Sequence, residues 1–360
     1  MPLVAHNNLP TFERLREEGQ TILRPGQAAR QDIRALHIGI LNMMPDAAME
    51  ATERQFFRLI GESNPIAQFH VHLFSLPIIE RGEDAQKHID KYYLSFEEIQ
   101  ASGIDALIIT GANVTQPKLS LEPFWQPLSE VFHWAHENVT STLCSCLATH
   151  ASLELQYNQP RYNLGYKRWG VYSHRVKNRL HPLVKGINTR FDAPHSRYNQ
   201  IDDTQFEAAG LQILAESAEA GVQMAVSPDG FRTVYFQGHP EYDSVSLLKE
   251  YKREVGLFSL ALNRGESVEY PPFPVNYFDK HTQAIFNEYQ YRLIEAITNG
   301  TEPPKFPEHL ILDRIDNSWR DTASAILANW MGLVYQITNM DRSKPFMDGI
   351  DPNDPLSLQK

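Results

Sequence analysis

The chain has 360 residues, of which 42% are hydrophobic and 21% are charged, and its formal net charge is −11. This length accommodates one large α/β domain or two smaller ones. The acidic balance and the lack of a basic tract exclude general nucleic-acid binding, and no apolar run is long enough to cross a bilayer. An anionic substrate would therefore need a local cluster of positive side chains.

The amino-terminal segment and the cysteines indicate the compartment. Residues 1–6 lead directly into the charged segment 12–18, without the basic and apolar regions of a secretory signal. The two cysteines, Cys144 and Cys146, are two residues apart, a spacing that seldom gives disulfide geometry. A chain of this length with only two cysteines is typical of proteins in the reducing cytosol. We expect a cytoplasmic protein that binds neither nucleic acid nor membrane.

Predicted strands and helices alternate along the first part of the chain. Strands are predicted at residues 36–42, 69–76, 104–110 and 139–146, and further short ones at 211–216, 223–227 and 233–237. Apolar residues at helical spacing predict helices at 48–61, 92–102, 124–138 and 147–155. This alternation predicts an α/β fold, a mostly parallel, doubly wound sheet with helices on both faces. Chemistry in such sheets gathers at the carboxyl ends of strands, where the loop 110–113 and Cys146 lie.

The pattern loosens after residue 253. Two proline-rich linkers, 270–274 and 302–307, flank a predicted amphipathic helix at 281–298, and an apolar helix follows at 319–337. The last residues read as a poorly ordered tail. We therefore divide the chain into an N-terminal arm (1–35), a catalytic α/β domain (36–257), a C-terminal extension that packs on it (258–340) and a tail (341–360).

Cys146 is a candidate nucleophile because it follows a predicted strand and precedes a predicted helix. A thiol at a helix N-terminus has its pKa lowered by the helix dipole, and the first amides of the helix can hold an oxyanion. The alternative is a buried small apolar residue, which position alone does not exclude. Cys144, two residues back inside the strand, fits that alternative better.

A second candidate is the segment 238–243, Gly-His-Pro-Glu-Tyr-Asp, which follows the strand at 233–237. His239 with Glu241 two residues on is the pairing that a general base needs, because the carboxylate fixes the tautomer and stabilises the imidazolium. Taken alone, the segment could equally be a capped turn. A metal site at Cys144, Cys146 and His150 lacks a second ligand pair at conventional spacing, so we expect no metal.

Several collinear segments carry a resemblance to a known family. They are Leu-Asn-Met-Met-Pro at 41–45, Ile-Ile-Thr-Gly-Ala at 108–112, Thr-Ser-Thr-Leu-Cys-Ser-Cys at 140–146, Ala-Pro-His-Ser-Arg-Tyr at 193–198, Leu-Ala-Glu-Ser at 214–217, the segment 238–243, and Ser-Trp-Arg at 318–320. Together they resemble the homoserine O-acyltransferases of the methionine pathway, the MetA type. The resemblance implies a class I glutamine-amidotransferase-like, flavodoxin-like fold.

The resemblance also implies roles for single residues. Cys146 matches the acyl-accepting cysteine, His239 the general base and Glu241 its partner. Lys167 and Ser196 match substrate-contacting residues, and Arg253 matches an arginine that holds the amino-acid carboxylate, a role that suits a guanidinium. The backbone amides of Leu147 and of the Gly111-Ala112 turn would hold the oxyanion.

The implied reaction is a homoserine O-succinyltransferase reaction, in which succinyl-CoA acylates Cys146 and L-homoserine accepts the acyl group in a ping-pong cycle. Acyl-CoA is then a co-substrate, and no cofactor is expected. The family position associated with acyl choice carries Glu for acetyl and Gly for succinyl donors, and here it is Thr115. Threonine is small, neutral and able to donate a hydrogen bond to a distal carboxylate, which favours succinyl.

Alternatives stay open at the level of the sequence. Acetyl-CoA could be the donor, serine could be the acceptor, and a Cys-His-Glu hydrolase, a glutaminase or a catalytically silent binding protein would use the same fold. Two departures from the family are Leu147-Ala148 after the nucleophile, where Trp is more usual, and a longer connection at 258–308. Its helix could cover the site, build a dimer contact or decorate the surface. A homodimer is the expected assembly.

Overall fold

The computed structural model describes residues 3–64 and 66–358, which build an α/β fold around one eleven-stranded sheet. The strands are β1 (Leu3–Val4), β2 (Ile22–Leu23), β3 (Ala35–Leu41), β4 (Gln68–Phe74), β5 (Ala106–Ile109), β6 (Ser141–Ser145), β7 (Tyr162–Val176), β8 (Arg190–Gln200), β9 (Gln212–Ser217), β10 (Gly221–Val226) and β11 (Thr233–Phe236).

Eleven α-helices within the described residues connect or cover these strands. They are α1 (Pro10–Glu17), α2 (Pro25–Ala28), α3 (Asp46–Ser63), α4 (Glu83–Tyr92), α5 (Phe96–Ser102), α6 (Trp125–Asn138), α7 (Leu147–Tyr157), α8 (Asp203–Ala208), α9 (Ser246–Asn263), α10 (Lys280–Thr298) and α11 (Arg320–Ile337).

The sheet has a parallel half and an antiparallel half. Its strand order is β2-β1-β4-β3-β5-β6-β11-β10-β9-β7-β8. Every pairing from β2 to β11 is parallel, whereas β11, β10, β9, β7 and β8 pair antiparallel. The parallel half confirms the predicted doubly wound arrangement, and β6 and β11 lie at the junction between the two halves.

Both faces of the parallel half are covered, which explains its apolar strands. All four residues of β5 are buried. One core cluster includes Phe57 of α3 and Trp330 of α11, and a second includes Val131 of α6 and Ala151 of α7. Strands covered on both faces need apolar side chains at nearly every position. These helices therefore fix the strand ends on which the site is built.

The sequence analysis misses several local features of the structure, among them the elements before residue 35 and helix α8. The single helix predicted at 92–102 is wrong, because α4 ends at Tyr92 and α5 starts after Ser95. The Ser95 hydroxyl accepts from the Glu98 amide at 3.2 Å, and Glu98 accepts from the Ser95 amide at 2.7 Å, a capping box that forces a new start. The long hairpin β7–β8 and most of α9 were not predicted either, because charged and glycine residues interrupt their apolar patterns.

The two ends of the chain pack on the sheet. In the predicted N-terminal arm, β1 and β2 extend the parallel half at its edge, where Leu3 pairs with Phe69 of β4. In the predicted tail, Phe346 is buried in the core beside α11, and the Thr140 hydroxyl donates to the Pro345 carbonyl. Ile350 and Leu356 also pack against this cluster, so the segment that the sequence predicts to be poorly ordered has packed contacts as far as residue 356.

The extension after residue 257 has its own aromatic core beside α9. Tyr251 of α9 contacts Phe286 of α10, with ring centroids 5.0 Å apart. Val275 pairs with β7 through two backbone hydrogen bonds of 2.8 Å, to Trp169 and from Val171. Gly170 between them has φ +144°, and a Cβ there would collide with the Val275 backbone. The extension thus supports the helix and the strand that carry Glu250 and Lys167.

Candidate active site

Cys146 lies on a strained turn between β6 and α7. Its φ of 53° and ψ of −108° are rare for a non-glycine residue. The turn is fixed from the neighbouring strand, because the Cys146 amide donates to the Phe236 carbonyl at 2.8 Å. The Thr149 hydroxyl lies 3.0 Å from the Cys144 carbonyl and 2.9 Å from that of Phe236. This geometry presents the thiol at the carboxyl edge of the sheet, over helix amides that have no intrahelical partner.

His239 follows β11, the strand next to β6, and is held on three sides. Its Nδ1 lies 2.8 Å from Glu241 Oε1, its amide donates to the Pro194 carbonyl at 2.8 Å, and its ring stacks on Tyr242 with centroids 4.3 Å apart. A Cβ at Gly238 would lie 2.7 Å from the Pro194 carbonyl oxygen, so the preceding residue must be glycine. Nε2 is then left to face the thiol.

The thiol and the imidazole shift each other's pKa in opposite directions. Burial would raise the pKa of Cys146, but the charge and hydrogen bond of His239 outweigh it and leave that pKa lowered. Burial would lower the pKa of His239, but the charges of Cys146 and Glu241 raise it well above its usual range. Each group thus favours the charged form of the other, and a thiolate beside an imidazolium is the reactive form of a cysteine nucleophile.

A second cluster lies around Glu250 on α9. One carboxylate oxygen accepts from Lys167 at 3.0 Å and from the Ser196 hydroxyl at 2.6 Å, and the other accepts from the Tyr242 hydroxyl at 2.8 Å. Burial would raise the pKa of Glu250, but Lys167 and these hydrogen bonds lower it. Lys167 also lies 4.1 Å from the centre of the Trp169 ring. The cluster is an ordered, charged wall able to bind an ammonium group.

One cavity of about 420 Å³ joins these two clusters. Its lining residues are Met44, Pro45, Ala48, Gly111, Ala112, Asn113, Val114, Cys146, Leu147, His150, Arg161, Lys167, Ser196, Arg197, Tyr198, Asn199, His239, Tyr242, Glu250, Arg253 and Glu254. Gly111 lies beside Cys146, because a Cβ built on it would be 4.0 Å from Cys146 Cβ. Glu241 lies behind His239 and lines a separate recess. A nucleophile, a base and an acceptor pocket therefore share one space.

The sequence matches one family over almost its whole length. A family model described as homoserine O-succinyltransferase matches residues 2–340. The chain belongs to this family. It is 63% identical over 358 residues to the homoserine O-succinyltransferase of Allochromatium vinosum, covering 99% of both chains. It is 62% identical over 360 residues to that of Nitrosococcus oceani, covering 100% of this chain and 99% of the other. Among solved structures, a glutamine amidotransferase from Thermotoga maritima has a TM-score of 0.46 at 11% identity, over 84% of this chain and 98% of that one.

Most residues assigned from the resemblance to this homoserine O-succinyltransferase family line the cavity, but Glu241, behind His239, and Thr115 do not. The Thr115 amide and that of Gln116 both donate to Glu122 Oε1 at 2.6 Å, and the Thr115 hydroxyl lies 3.5 Å from the other Glu122 oxygen. Thr115 thus fixes the loop rather than facing the nucleophile. Arg253 lies at the rim, with its side chain 63% exposed and 2.8 Å from Glu254. The functional roles of both residues remain predictions.

Three lining residues were missed by the sequence reasoning. Glu250 lies three residues before Arg253, on the same face of α9, and recognising that helix would have found it. Arg161 and Arg197 gave no local signal, because each reads as a solvated charge. Arg197 is in fact buried, with its guanidinium hydrogen-bonded to the carbonyls of Asn199 and Ala220 at 2.9 and 2.6 Å.

In the described ranges, 3–64 and 66–358, no group of three or more His, Cys, Asp or Glu side chains could hold a metal ion. His150 Nε2 lies 3.0 Å from the Gln237 side-chain oxygen, and burial lowers the His150 pKa to about 3. Burial raises the pKa of Cys144, which is enclosed in β6. Neither side chain is presented to an ion. Among the same residues, we find no helix with the length and apolarity needed to cross a membrane.

Proposed function

We propose that this protein is a homoserine O-succinyltransferase of methionine biosynthesis. It transfers succinyl from succinyl-CoA, through a thioester on Cys146, to the hydroxyl of L-homoserine. The observation that carries the proposal is the shared cavity of Cys146, His239 and Glu250 in a chain that matches homoserine O-succinyltransferases from end to end. The names of these relatives support succinyl over acetyl as the acyl group.

The first half of the reaction loads the acyl group. The Cys146 thiolate attacks the thioester carbonyl of the donor, forming a new carbon–sulfur bond and an oxyanion. The amides of Leu147 and of the Gly111-Ala112 turn are placed to stabilise that oxyanion. When it collapses, the bond to CoA sulfur breaks, and the leaving thiolate takes the proton of the His239 imidazolium. One thioester replaces another, so the step is close to neutral in energy.

The second half-reaction needs the acceptor amino acid to be bound through both its ammonium group and its carboxylate. Glu250 offers a carboxylate to the ammonium group, and Arg253 at the rim offers a guanidinium to the carboxylate. Neutral His239 removes the hydroxyl proton, and Glu241 stabilises the resulting imidazolium. The oxygen attacks the acyl carbon, the bond to Cys146 sulfur breaks, and the thiolate–imidazolium pair returns. Water competes with homoserine as a nucleophile. The pocket must therefore favour homoserine by holding its hydroxyl close to the acyl carbon.

We extend the proposal to a cytoplasmic homodimer without a bound cofactor, with acyl-CoA as co-substrate. The two free cysteines suit a reducing compartment. A closed twofold pair is the commonest assembly of soluble enzymes, and light scattering measures it directly. A monomeric mass in solution would remove the dimer from the proposal without affecting the chemistry.

Intact-mass analysis tests the donor and the nucleophile together. The protein is mixed with succinyl-CoA or acetyl-CoA without an acceptor, digested and mapped. We expect a succinyl adduct on Cys146 that disappears when L-homoserine is added and O-succinylhomoserine forms. Preferential acetylation would make the protein an acetyltransferase, and faster release by L-serine would reassign the acceptor. No adduct from either donor, with ammonia released from glutamine, would overturn the proposal in favour of a glutaminase.

A further inference from the structure

The cavity contains four cationic side chains, and three of them already have partners. Lys167 is paired with Glu250 at 3.0 Å, and Arg253 with Glu254 at 2.8 Å. The Arg197 guanidinium is engaged by backbone carbonyls and by the Gln200 side chain, 3.1 Å from Nη1. The fourth is Arg161, just beyond α7.

Arg161 has neither a hydrogen bond nor an ion pair with any residue in 3–64 or 66–358, although it lines the cavity. Its Nε is buried without a partner. Burial lowers the pKa of its guanidinium, and the charges of Cys146, Glu154 and Glu122 oppose that shift. A guanidinium whose Nε is buried without a hydrogen-bond acceptor costs free energy, which a bound anion would offset. Arg161 is therefore prepared to receive an anion that the described residues do not provide.

The substrates of the proposed reaction indicate which anion Arg161 would bind. Of the two ends of succinyl-CoA, only the acyl group stays in the cavity after CoA has left, bonded to Cys146. A succinyl group differs from an acetyl group by a distal carboxylate. Glu122 already accepts the amides of Thr115 and Gln116, so the loop at the family's acyl-choice position has its own acid fully engaged. Thr115 itself is outside the cavity lining.

We propose that Arg161 binds the distal carboxylate of the succinyl group and so sets the preference for succinyl over acetyl donors. This inference rests on the proposed function and adds a specificity-determining residue to it. The planar guanidinium fork matches a carboxylate with two parallel hydrogen bonds.

The test compares donors that share CoA and differ only at the acyl end. Arg161→Met keeps the length of the side chain and removes its charge, and Arg161→Lys keeps a charge without the fork. Lys118→Met, an exposed cation on the neighbouring loop, is the matched control. The donors are succinyl-CoA, acetyl-CoA and succinamoyl-CoA, whose distal amide is a neutral replacement for the carboxylate. The measurement is kcat/KM for acylation of Cys146, with circular dichroism as the check on folding.

We expect Arg161→Met to lower kcat/KM for succinyl-CoA roughly 10- to 100-fold, the range of a charge-assisted hydrogen-bonded pair. Its activity with acetyl-CoA and succinamoyl-CoA should be unchanged, Arg161→Lys should lie between, and Lys118→Met should match the wild type. An equal loss with all donors, or an unchanged ratio, overturns the role of Arg161. If the wild type takes no succinyl group at all, the proposed function fails instead, so the two failures are distinguishable. If Arg161→Met does not fold, the donor ratio of Arg161→Lys decides.

Discussion

In the reaction that we propose, the two halves of the sheet contribute different groups to the site. The parallel half ends in Cys146 and in the Gly111-Ala112 turn, which supply the nucleophile and the oxyanion amides. The antiparallel half brings Lys167 from β7 and Ser196 from β8 to Glu250 of α9, which makes the acceptor wall. His239, at the end of β11, lies at the junction and serves both.

The proposed reaction thus places the loading step and the acceptor step on different parts of the fold. The parallel half is covered by helices on both faces and has little freedom to vary. The antiparallel half depends on the extension, which pairs Val275 with β7 and packs an aromatic core against α9. A substitution in one half of the sheet should therefore affect only one of the two half-reactions.

The largest effect is expected from Cys146→Ala. Removing the nucleophile should abolish the acyl adduct and lower turnover on the order of 10⁵-fold, as for other covalent catalysts. The matched control is Cys144→Ala, two residues away inside β6, which should cost stability and leave kcat nearly unchanged. Steady-state kinetics and intact mass measure both. If Cys146→Ala retained its turnover, the parallel half of the sheet would not supply the nucleophile.

The thiolate–imidazolium pair predicts how the reactivity of Cys146, at the end of the parallel half, depends on pH. The Cys146 pKa is lowered and the His239 pKa is raised, because each charged group stabilises the other. The rate of iodoacetamide labelling of Cys146 should fall as the thiolate is protonated, with a midpoint below that of an ordinary thiol. Removal of the imidazolium in His239→Ala should move the midpoint of labelling up, toward the range of an ordinary thiol near pH 8.5. A wild-type midpoint already in that range would contradict the pairing.

In the antiparallel half, Glu250→Gln should act on the acceptor alone. The amide can keep hydrogen bonds with Ser196 and Tyr242 but loses its attraction for an ammonium group. We expect kcat/KM for homoserine to fall by about 100-fold, while the acylation rate with succinyl-CoA stays unchanged. Lys249→Gln, an exposed charge change on the same helix, is the control. Equal losses of rate in acylation and in transfer to homoserine would show that the two halves of the sheet do not serve separate steps.

The smallest effect on chemistry should come from Gly170→Ala. A Cβ would collide with Val275 and undock the extension from β7, lowering the free energy of unfolding by more than about 2 kcal/mol. Gly332→Ala in α11 meets open space and should instead be neutral or stabilising by up to about 1 kcal/mol. Urea denaturation measures both changes. We expect Gly170→Ala to raise KM for homoserine before it alters acylation, because Lys167 lies on the same strand.

The sequence by itself determined the elements whose signals are local. Apolar runs predicted β3, β4, β5 and β6 within a few residues, and the strand-to-helix position of Cys146 marked it as a candidate before any contact was known. The short segment 238–243 likewise contained the base and its carboxylate, because a spacing of two residues already brings His239 and Glu241 together. These features depend on neighbours in the chain.

Only the tertiary structure decided the rest, because those interactions join residues that are far apart in the chain. Glu250 meets Lys167 across 83 positions and Ser196 across 54, and no local pattern records such a contact. Arg161 reads as a solvated charge until folding buries its Nε without a partner. The end of the chain reads as a free tail because only the sheet and α11 provide the surface that buries Phe346. Burial and charge pairing are properties of the folded surface, and the sequence alone does not specify which distant groups will share it.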